Sequence, residues 1–396
     1  MLLSYSIENF NSIKNECKIS FAPSAIKDKN KKLFMNDQIL PIVVIYGGNG
    51  SGKSSILLSM KYITDLIKAK NADYFLQSLN NIKVFKNKSI ENEETKFCFE
   101  FLLENNFLYK YEINLSNGFI ALEKLSKKEF NSKQEFKILF EISNNKFIKA
   151  NENLSKINIS AKQLSGLSYL NAITEIEDIK LIYDEIKKIK CYPIGTLEPI
   201  FIDPFLPNGM GWSFDIHLLE KQKEKFLKIF KEIDFNIIDI KIVKNQFNGY
   251  EILFTKNSIY GNIEIPFLAE STGTKKIIQF LCNFISCSEK GCLFCIDELD
   301  VSLHPKLLAY VIKLFNSENN KNIQLLYTSH DLYTLDSEFF RRDEIYFTGL
   351  NESYFTEIIS LNEYKDLNKN SSFSNKYVNG EVGFEPYITK VENWDE

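Results

Sequence analysis

Gly47-Gly48-Asn49-Gly50-Ser51-Gly52-Lys53-Ser54 fits G-x-x-x-x-G-K-[ST], the pattern of a loop that cradles phosphates. The run before it, Ile42-Val43-Val44-Ile45-Tyr46, is apolar and β-branched, as a strand buried on both faces must be. After Ser54, residues Ile56, Leu57, Met60, Ile63, Leu66 and Ile67 fall on one helical face. Strand, glycine loop and helix together predict a phosphate site. Glycines let successive N–H groups turn inward, and the helix N-terminus adds positive potential. The candidate nucleotide-binding residues are therefore Gly47, Asn49, Gly50, Ser51, Gly52, Lys53, Ser54 and Ser55. Lys53 is expected to reach the β- and γ-phosphates of ATP, and Ser54 to ligate Mg²⁺. The plainer alternative is a glycine turn with an incidental lysine, and the flanking strand and helix count against it.

Far downstream, Cys292-Leu293-Phe294-Cys295-Ile296-Asp297-Glu298 is an apolar strand that ends in two acids. An aspartate at such a strand end can hold the Mg²⁺ shell. A glutamate next to it can act as general base on an attacking water. An acidic turn after a core strand is the alternative reading. Leu299-Asp300-Val301-Ser302-Leu303-His304-Pro305 follows, with Pro305 suited to the first turn of a helix. Leu307, Leu308, Val311, Ile312 and Phe315 share one face of that helix. A further buried strand, Ile323 to Thr328, ends at Ser329-His330-Asp331. Strand, helix and strand make a parallel crossover, so His330 should emerge at the same sheet edge as Asp297. Before this unit lies Glu270-Ser271-Thr272-Gly273-Thr274-Lys275-Lys276, where a loop enters a helix. A Ser/Gly turn there can bind phosphate or can simply cap the helix.

The rest of the chain frames these pieces. Its 396 residues allow one large core or two moderate ones. With 48 basic against 52 acidic residues, the net charge is −4. That argues against a basic nucleic-acid coat and leaves only local patches: Lys27, Lys29, Lys31 and Lys32, and the lysines of 221–231. Nucleic acid is a possible partner that charge does not indicate. Arg341 and Arg342 are the two arginines of the sequence, so there is little material for an arginine finger. No basic-then-apolar leader opens the sequence and no apolar run is long enough to span a bilayer, so a cytoplasmic protein without membrane contact is expected. Seven scattered cysteines fit reduced thiols. Cys292 and Cys295 make a C-x-x-C whose offset of three puts them on opposite faces of a strand, where core packing suits them better than metal. Strands are expected over 2–7, 17–21 and in a meander over 95–125 that turns at 116–118. Residues 126–237 read as a mainly helical insertion. Ile176, Ile179, Ile182, Tyr183, Ile186 and Ile189 mark one helix there, and 217–233 another. Pro193, Pro204, Pro207, Gly209 and Gly211 mark irregular chain between them. Strands return over 238–256, and 367–376 is expected to be mobile.

In this order the pieces resemble the heads of ABC-class ATPases: P-loop, signature, acid pair, following loop and switch histidine. Ile7-Glu8-Asn9-Phe10-Asn11-Ser12-Ile13 is similar to the opening of the SMC/OLD-like branch. Glu270-Ser271-Thr272-Gly273-Thr274 resembles the ES-x-GT signature of AAA-type ATPases in the abortive-infection AbiLi/RloA-like group. Asp297-Glu298 with Leu303-His304-Pro305, Thr328-Ser329-His330-Asp331 and Arg341-Arg342-Asp343-Glu344-Ile345-Tyr346-Phe347 resemble other stretches of that group. Tyr377, Gly380, Gly383 and Pro386 resemble that group's C-terminal pattern. Asn11 and Glu381 depart from it, standing where basic residues are usual, and Gln77 is the one candidate for a Q-loop glutamine. The resemblance covers 1–125 and 238–396 and skips the middle. It implies an α/β fold, a P-loop NTPase of the ABC-head type. A mixed sheet and an antiparallel β subdomain would carry the helical insertion. It further implies an ATP sandwich of two copies, or a higher homo-oligomer. Lys53, Ser54, Asp297, Glu298 and His330 of one copy would face Ser271, Gly273 and Lys275 or Lys276 of the other. ATP and Mg²⁺ are the implied cofactors, Ser54 and Asp297 the metal ligands, and Lys53, Glu298 and His330 the catalytic set. The implied role is a regulatory ATPase of a bacterial anti-phage system that controls a separate effector such as a nuclease. The alternatives are a DNA-repair ATPase of the SMC/OLD type, a transporter motor and a scaffold with negligible hydrolysis. Missing heptads weigh against the first, the altered signature against the second, and Glu298 against the third.

Overall fold

A computed structural model describes residues 1–25, 33–35, 37–80, 93–116, 118–159, 164–192, 216–233, 236–244, 250–288, 290–364 and 372–384. The chain opens with strands β1 (Leu2–Glu8) and β2 (Cys17–Ser20), then the P-loop unit of β3 (Ile42–Gly47) and α1 (Lys53–Lys68). After α2 (Ala72–Asn80) come β4 (Thr95–Leu102), β5 (Phe107–Ser116), β6 (Phe119–Glu129), β7 (Lys137–Ser143) and β8 (Lys146–Ala150). Helices α3 (Gly166–Ile173) and α4 (Glu177–Lys187) lead to β9 (Ile189–Tyr192). Helices α5 (Ile216–Lys221) and α6 (Lys223–Glu232) precede β10 (Ile237–Lys244), β11 (Tyr250–Lys256) and β12 (Ile263–Pro266). The remaining elements are α7 (Thr272–Cys287), β13 (Cys292–Ile296), α8 (Pro305–Phe315), β14 (Ile323–Thr328), β15 (Ile345–Leu350), β16 (Thr356–Ser360) and α9 (Phe373–Val378).

The six-stranded sheet runs β16-β15-β3-β14-β13-β9, with every pair parallel except the β15–β16 hairpin at its edge. A strand covered on both faces must be apolar at every position, and β3, β13 and β14 are buried throughout. Side-chain alternation then divides each strand between two cores. Val43, Ile45, Leu293 and Cys295 join one cluster, while Ile42, Val44, Cys292, Phe294 and Ile296 join the other. The C-x-x-C cysteines thus sit in opposite cores, as their spacing predicts. Each aliphatic residue buried this way contributes about 1.5–3 kcal/mol, and a polar residue at Val44 would forfeit that.

A seven-stranded antiparallel sheet, β2-β1-β4-β5-β6-β7-β8, packs its aromatic face into the first core. Phe99 stacks on Phe101 there and meets Tyr5 at a 45° tilt. Gln324 on β14 joins the two sheets. Its side-chain amide accepts from Leu2 N and donates to Leu2 O, both at 2.9 Å, and so stands in for a neighbouring strand. A small third sheet, β10-β11-β12, borders the signature segment. The architecture is a P-loop α/β fold with an antiparallel β subdomain.

Several expectations need correction. The helical insertion does not begin at 126: β6 runs through Glu129, and β7 and β8 extend the antiparallel sheet to Ala150. The register shifts at Leu125/Ser126 through a bulge, which breaks the alternation at the point where the strand pattern fades. Nor is the segment after it separate from the head, because β9 pairs in parallel with β13. The helix read over 217–233 is two helices broken at Gln222. Gln77 lies on α2, after 16 residues of α1, about 24 Å of helix from the P-loop. Lys27, Lys29, Lys31, Lys32, Asn117, Pro386, residues 367–371 and the Pro193–Gly211 punctuation lie outside the described residues.

Candidate functional site

The C-terminal edge of the parallel sheet collects the predicted chemistry. β3 delivers the glycine loop, and its neighbour β14 delivers His330. β13, on the far side of β14, delivers Asp297 and Glu298. Glycine is required at two positions of the loop. A Cβ on Gly47 would lie 2.5 Å from Thr348 Oγ1. Gly52 has φ 98°, and a Cβ there would lie 2.0 Å from Thr356 Oγ1. Gly52 then caps α1, whose free N–H groups open toward the loop.

Lys53 is buried and donates to Gly47 O and Gly48 O, each at 2.9 Å. Burial lowers its pKa, while Asp297, Glu298 and Asp300 act in the opposite direction. Ser54 is partly exposed at the helix start. The neighbouring hydroxyls brace the loop. Ser51 Oγ meets Thr348 Oγ1 at 2.8 Å, and Ser55 Oγ accepts from Asn11 Nδ2 at 2.7 Å and meets Ser12 Oγ at 3.0 Å. Asn11, in left-handed backbone at φ 53°, is thus part of the loop's support. Asn49 and Gly50 stand exposed at the tip.

Asp297 is 1% exposed. Thr328 Oγ1 donates to Asp297 Oδ1 at 2.6 Å and accepts from Glu298 N at 2.7 Å. One hydroxyl therefore orients both acids. Glu298 itself lies in left-handed backbone, φ 51°, a conformation that costs about 1–3 kcal/mol and persists only where its surroundings fix it. His330 N donates to Asp300 Oδ2 at 3.1 Å. Burial and the nearby Lys53 lower the His330 pKa, opposed by Asp300, Glu298 and Asp297. Among the described residues no cluster of three or more His, Cys, Asp or Glu side chains is built to hold a metal alone. Mg²⁺ takes one or two protein oxygens and fills its octahedron with phosphates and water, and Ser54 and Asp297 match that donor set.

The signature segment starts α7. Ser271 is exposed and caps the helix, accepting from Thr274 N at 3.1 Å. Lys275 folds back onto Leu268 O at 2.9 Å. Lys276 is buried and bonds carbonyls of its own chain, which removes it from the outward donors expected there. The side-chain hydrogen bonds of Ser271, Thr274 and Lys275 stay within 268–275 and do not involve Lys53. Arg341 is excluded as an arginine finger. It is 3% exposed and bidentate to Asp343, at 2.8 and 2.7 Å, and Asp343 also holds Ser24. His304 caps α8 through a bond from Lys306 N. The sequence assigns Thr328, Asp300 and Thr348 no role of their own, although Thr328 and Asp300 lie within stretches that resemble the ATPase heads.

Residues 42–336 match the family model described as "AAA domain, putative AbiEii toxin, Type IV TA system". The chain belongs to this AAA-domain family. The matched span runs from β3 past His330 and takes in both halves of the candidate site. No curated protein matches the chain. It is similar to solved SMC heads. One is bound to the C-winged helix domain of ScpA (TM-score 0.44, 16% identity, 91% of this chain and 97% of that one). Another is the SMC head domain from Thermotoga maritima (TM-score 0.41, 15% identity, 91% and 98%). A third is the Pyrococcus furiosus Smc head with an extended coiled coil, bound to the C-terminal domain of ScpA (TM-score 0.40, 13% identity, 91% and 97%). Among the described residues no helix is long and apolar enough to cross a membrane.

Proposed function

We propose that this protein binds and hydrolyses Mg-ATP and uses the nucleotide to close a dimer. The meeting of Lys53, Asp297, Glu298 and His330 at one sheet edge carries this reading. On it, Lys53 exchanges the Gly47 and Gly48 carbonyls for the β- and γ-phosphates. The backbone N–H groups of Asn49 to Ser55 line the phosphate chain. Ser54 and Asp297 hold Mg²⁺, which when bound neutralises phosphate charge. Glu298 accepts the proton of the attacking water, and His330, steadied by Asp300, touches the γ-phosphate side of that water. With Arg341 locked away, the remaining positive charge comes from a second copy. Its α7 start offers Ser271, Gly273 and Lys275. The exposed apolar side chains Leu268, Val301, Leu332 and Tyr333 lie next to the signature, the acid turn and His330. A face of that composition supports burial against another copy.

The family description names a putative AbiEii toxin of a Type IV TA system, and the signature and C-terminal stretches resemble the AbiLi/RloA-like group. On that basis the chain is the regulatory ATPase of a cytoplasmic anti-phage system, with a separate effector such as a nuclease. The test is the mass of Glu298→Gln protein by light scattering, with and without Mg-ATP. ATP should raise the mass. Adding Ser271→Arg or Lys53→Ala should each abolish the rise. A mass indifferent to ATP sinks the sandwich.

A further inference from the structure

Helix α7 grips the acid turn of its own chain. Lys276, just past the helix's first turn, is 5% exposed, and its Nζ donates to Glu298 O at 3.1 Å and Val301 O at 2.7 Å. Gly273, three residues earlier, lies against the same turn: a Cβ there would stand 2.6 Å from Ser302 O. The two contacts sit about one helical turn apart and clamp residues 298–302 at both ends. The turn needs a clamp, because Glu298 at φ 51° and Ser302 at φ 66° are both left-handed. An ammonium group is an unusual clamp. Burial brings its pKa down to about 8, against the pull of Asp300 and Glu298. A helix that needed only packing would carry an apolar residue there. A cation with several donors reaches both carbonyls at once: it adds to the bond Glu298 O accepts from Val301 N at 3.1 Å, and it supplies Val301 O with a donor that an apolar side chain would not.

We propose that Lys276 is a positioning residue: it fixes the backbone of the Glu298 turn and so aims the Glu298 carboxylate at the attacking water. This rests on the ATPase reading above. The same helix carries Ser271 at its start, so the tie also links a copy's own acid pair to the helix end that it presents to its partner.

The test is steady-state hydrolysis of Mg-ATP by the full chain. Lys53→Ala and Glu298→Gln are measured first. If hydrolysis persists in both, the ATPase reading fails, and this inference fails with it for a visible reason. Lys276→Met should then lose about tenfold or more in kcat with KM changed less than about twofold, the mark of a misaimed group rather than a lost binding contact. Lys276→Arg, which also reaches two carbonyls as a cation, should recover most of the rate. In the Glu298→Gln background Lys276→Met should cost nothing further, since there is no carboxylate left to aim. Three results overturn the proposal: an unchanged kcat, a loss that appears in KM alone, or an equal fold-loss with and without Glu298. Where melting shows that Lys276→Met does not fold, Lys276→Gln, which keeps a donor but reaches one carbonyl, is judged by the same three criteria.

Discussion

At the scale of single residues, one hydroxyl decides how the acids are held. Thr328 is fully buried and bonds both Asp297 Oδ1 and Glu298 N. Thr328→Val keeps the volume and removes both bonds. The buried carboxyl oxygen and N–H then lack their partner, a loss of about 1–3 kcal/mol. The expected result is a lower melting temperature and a kcat reduced about tenfold or more, with ATP affinity nearly kept. Wild-type turnover in that variant, measured by phosphate release, would show that Thr328 is only structural. The sequence was legible here in part. Lys53, Asp297, Glu298 and His330 announce themselves because phosphate and metal chemistry needs those side chains at strand ends. The contacts of Thr328 and Lys276 do not: Thr328 reads only as part of the Thr328–Asp331 stretch and Lys276 as an outward donor, because a threonine inside a β-branched strand and a lysine on a helix do not show their partners in sequence. Their meaning comes from atoms distant in the chain.

At the scale of elements, the P-loop unit, α7, α8 and the β13–β14 crossover follow from periodicity, since each is buried on a full face or on both. The antiparallel extension does not. β6 and β7 bury one face and carry Lys and Glu on the other, β8 has no fully buried residue, and the three are interrupted by bulges at Leu125/Ser126 and Glu141/Ile142. Their alternation is diluted until it resembles a polar helical region. The helices that follow are fastened to this sheet by Glu123, which was equally invisible. Its carboxyl group, fully buried, accepts from Gly166 N and Leu167 N at 2.6 Å and from Tyr111 Oη at 2.7 Å. It thereby satisfies the opening N–H groups of α3. Glu123→Gln replaces an acceptor oxygen by an NH₂ that cannot receive these donors. The expected loss is about 2 kcal/mol, seen as a lower urea midpoint with the slope unchanged. An unchanged midpoint would mean that α3 is held by packing alone.

At the scale of the whole molecule, the two sheets share one core, so groups at their seam titrate with the global fold. Cys17 on β2 is buried beneath β16, and its Sγ bonds Thr356 O at 3.6 Å. Burial, with Glu357 and Glu16 nearby, pushes its thiol from 9.0 up to about 12. Cys98 on β4, away from that seam and half-buried on the face opposite Phe97 and Phe99, is pushed up to about 12 by burial as well. In both cases the folded state keeps a proton that the unfolded chain releases at lower pH. Their contribution is therefore fully present below pH 9 and is lost as pH rises toward 12. For Cys17 alone the loss approaches 1.4 kcal/mol for each pH unit in that window, or about 2 kcal/mol by pH 10.5. Cys17→Ser keeps a donor for Thr356 O and has no thiol to ionise. The variant should be less stable than the parent at pH 7, because a polar hydroxyl replaces a buried sulfur. It should then lose less stability on going to pH 10, so the two curves converge. Urea unfolding at pH 7, 9 and 10 reads this directly. Parallel curves would show that Cys17 ionises in the folded protein as easily as in the unfolded one, and that the seam between β2 and β16 admits water.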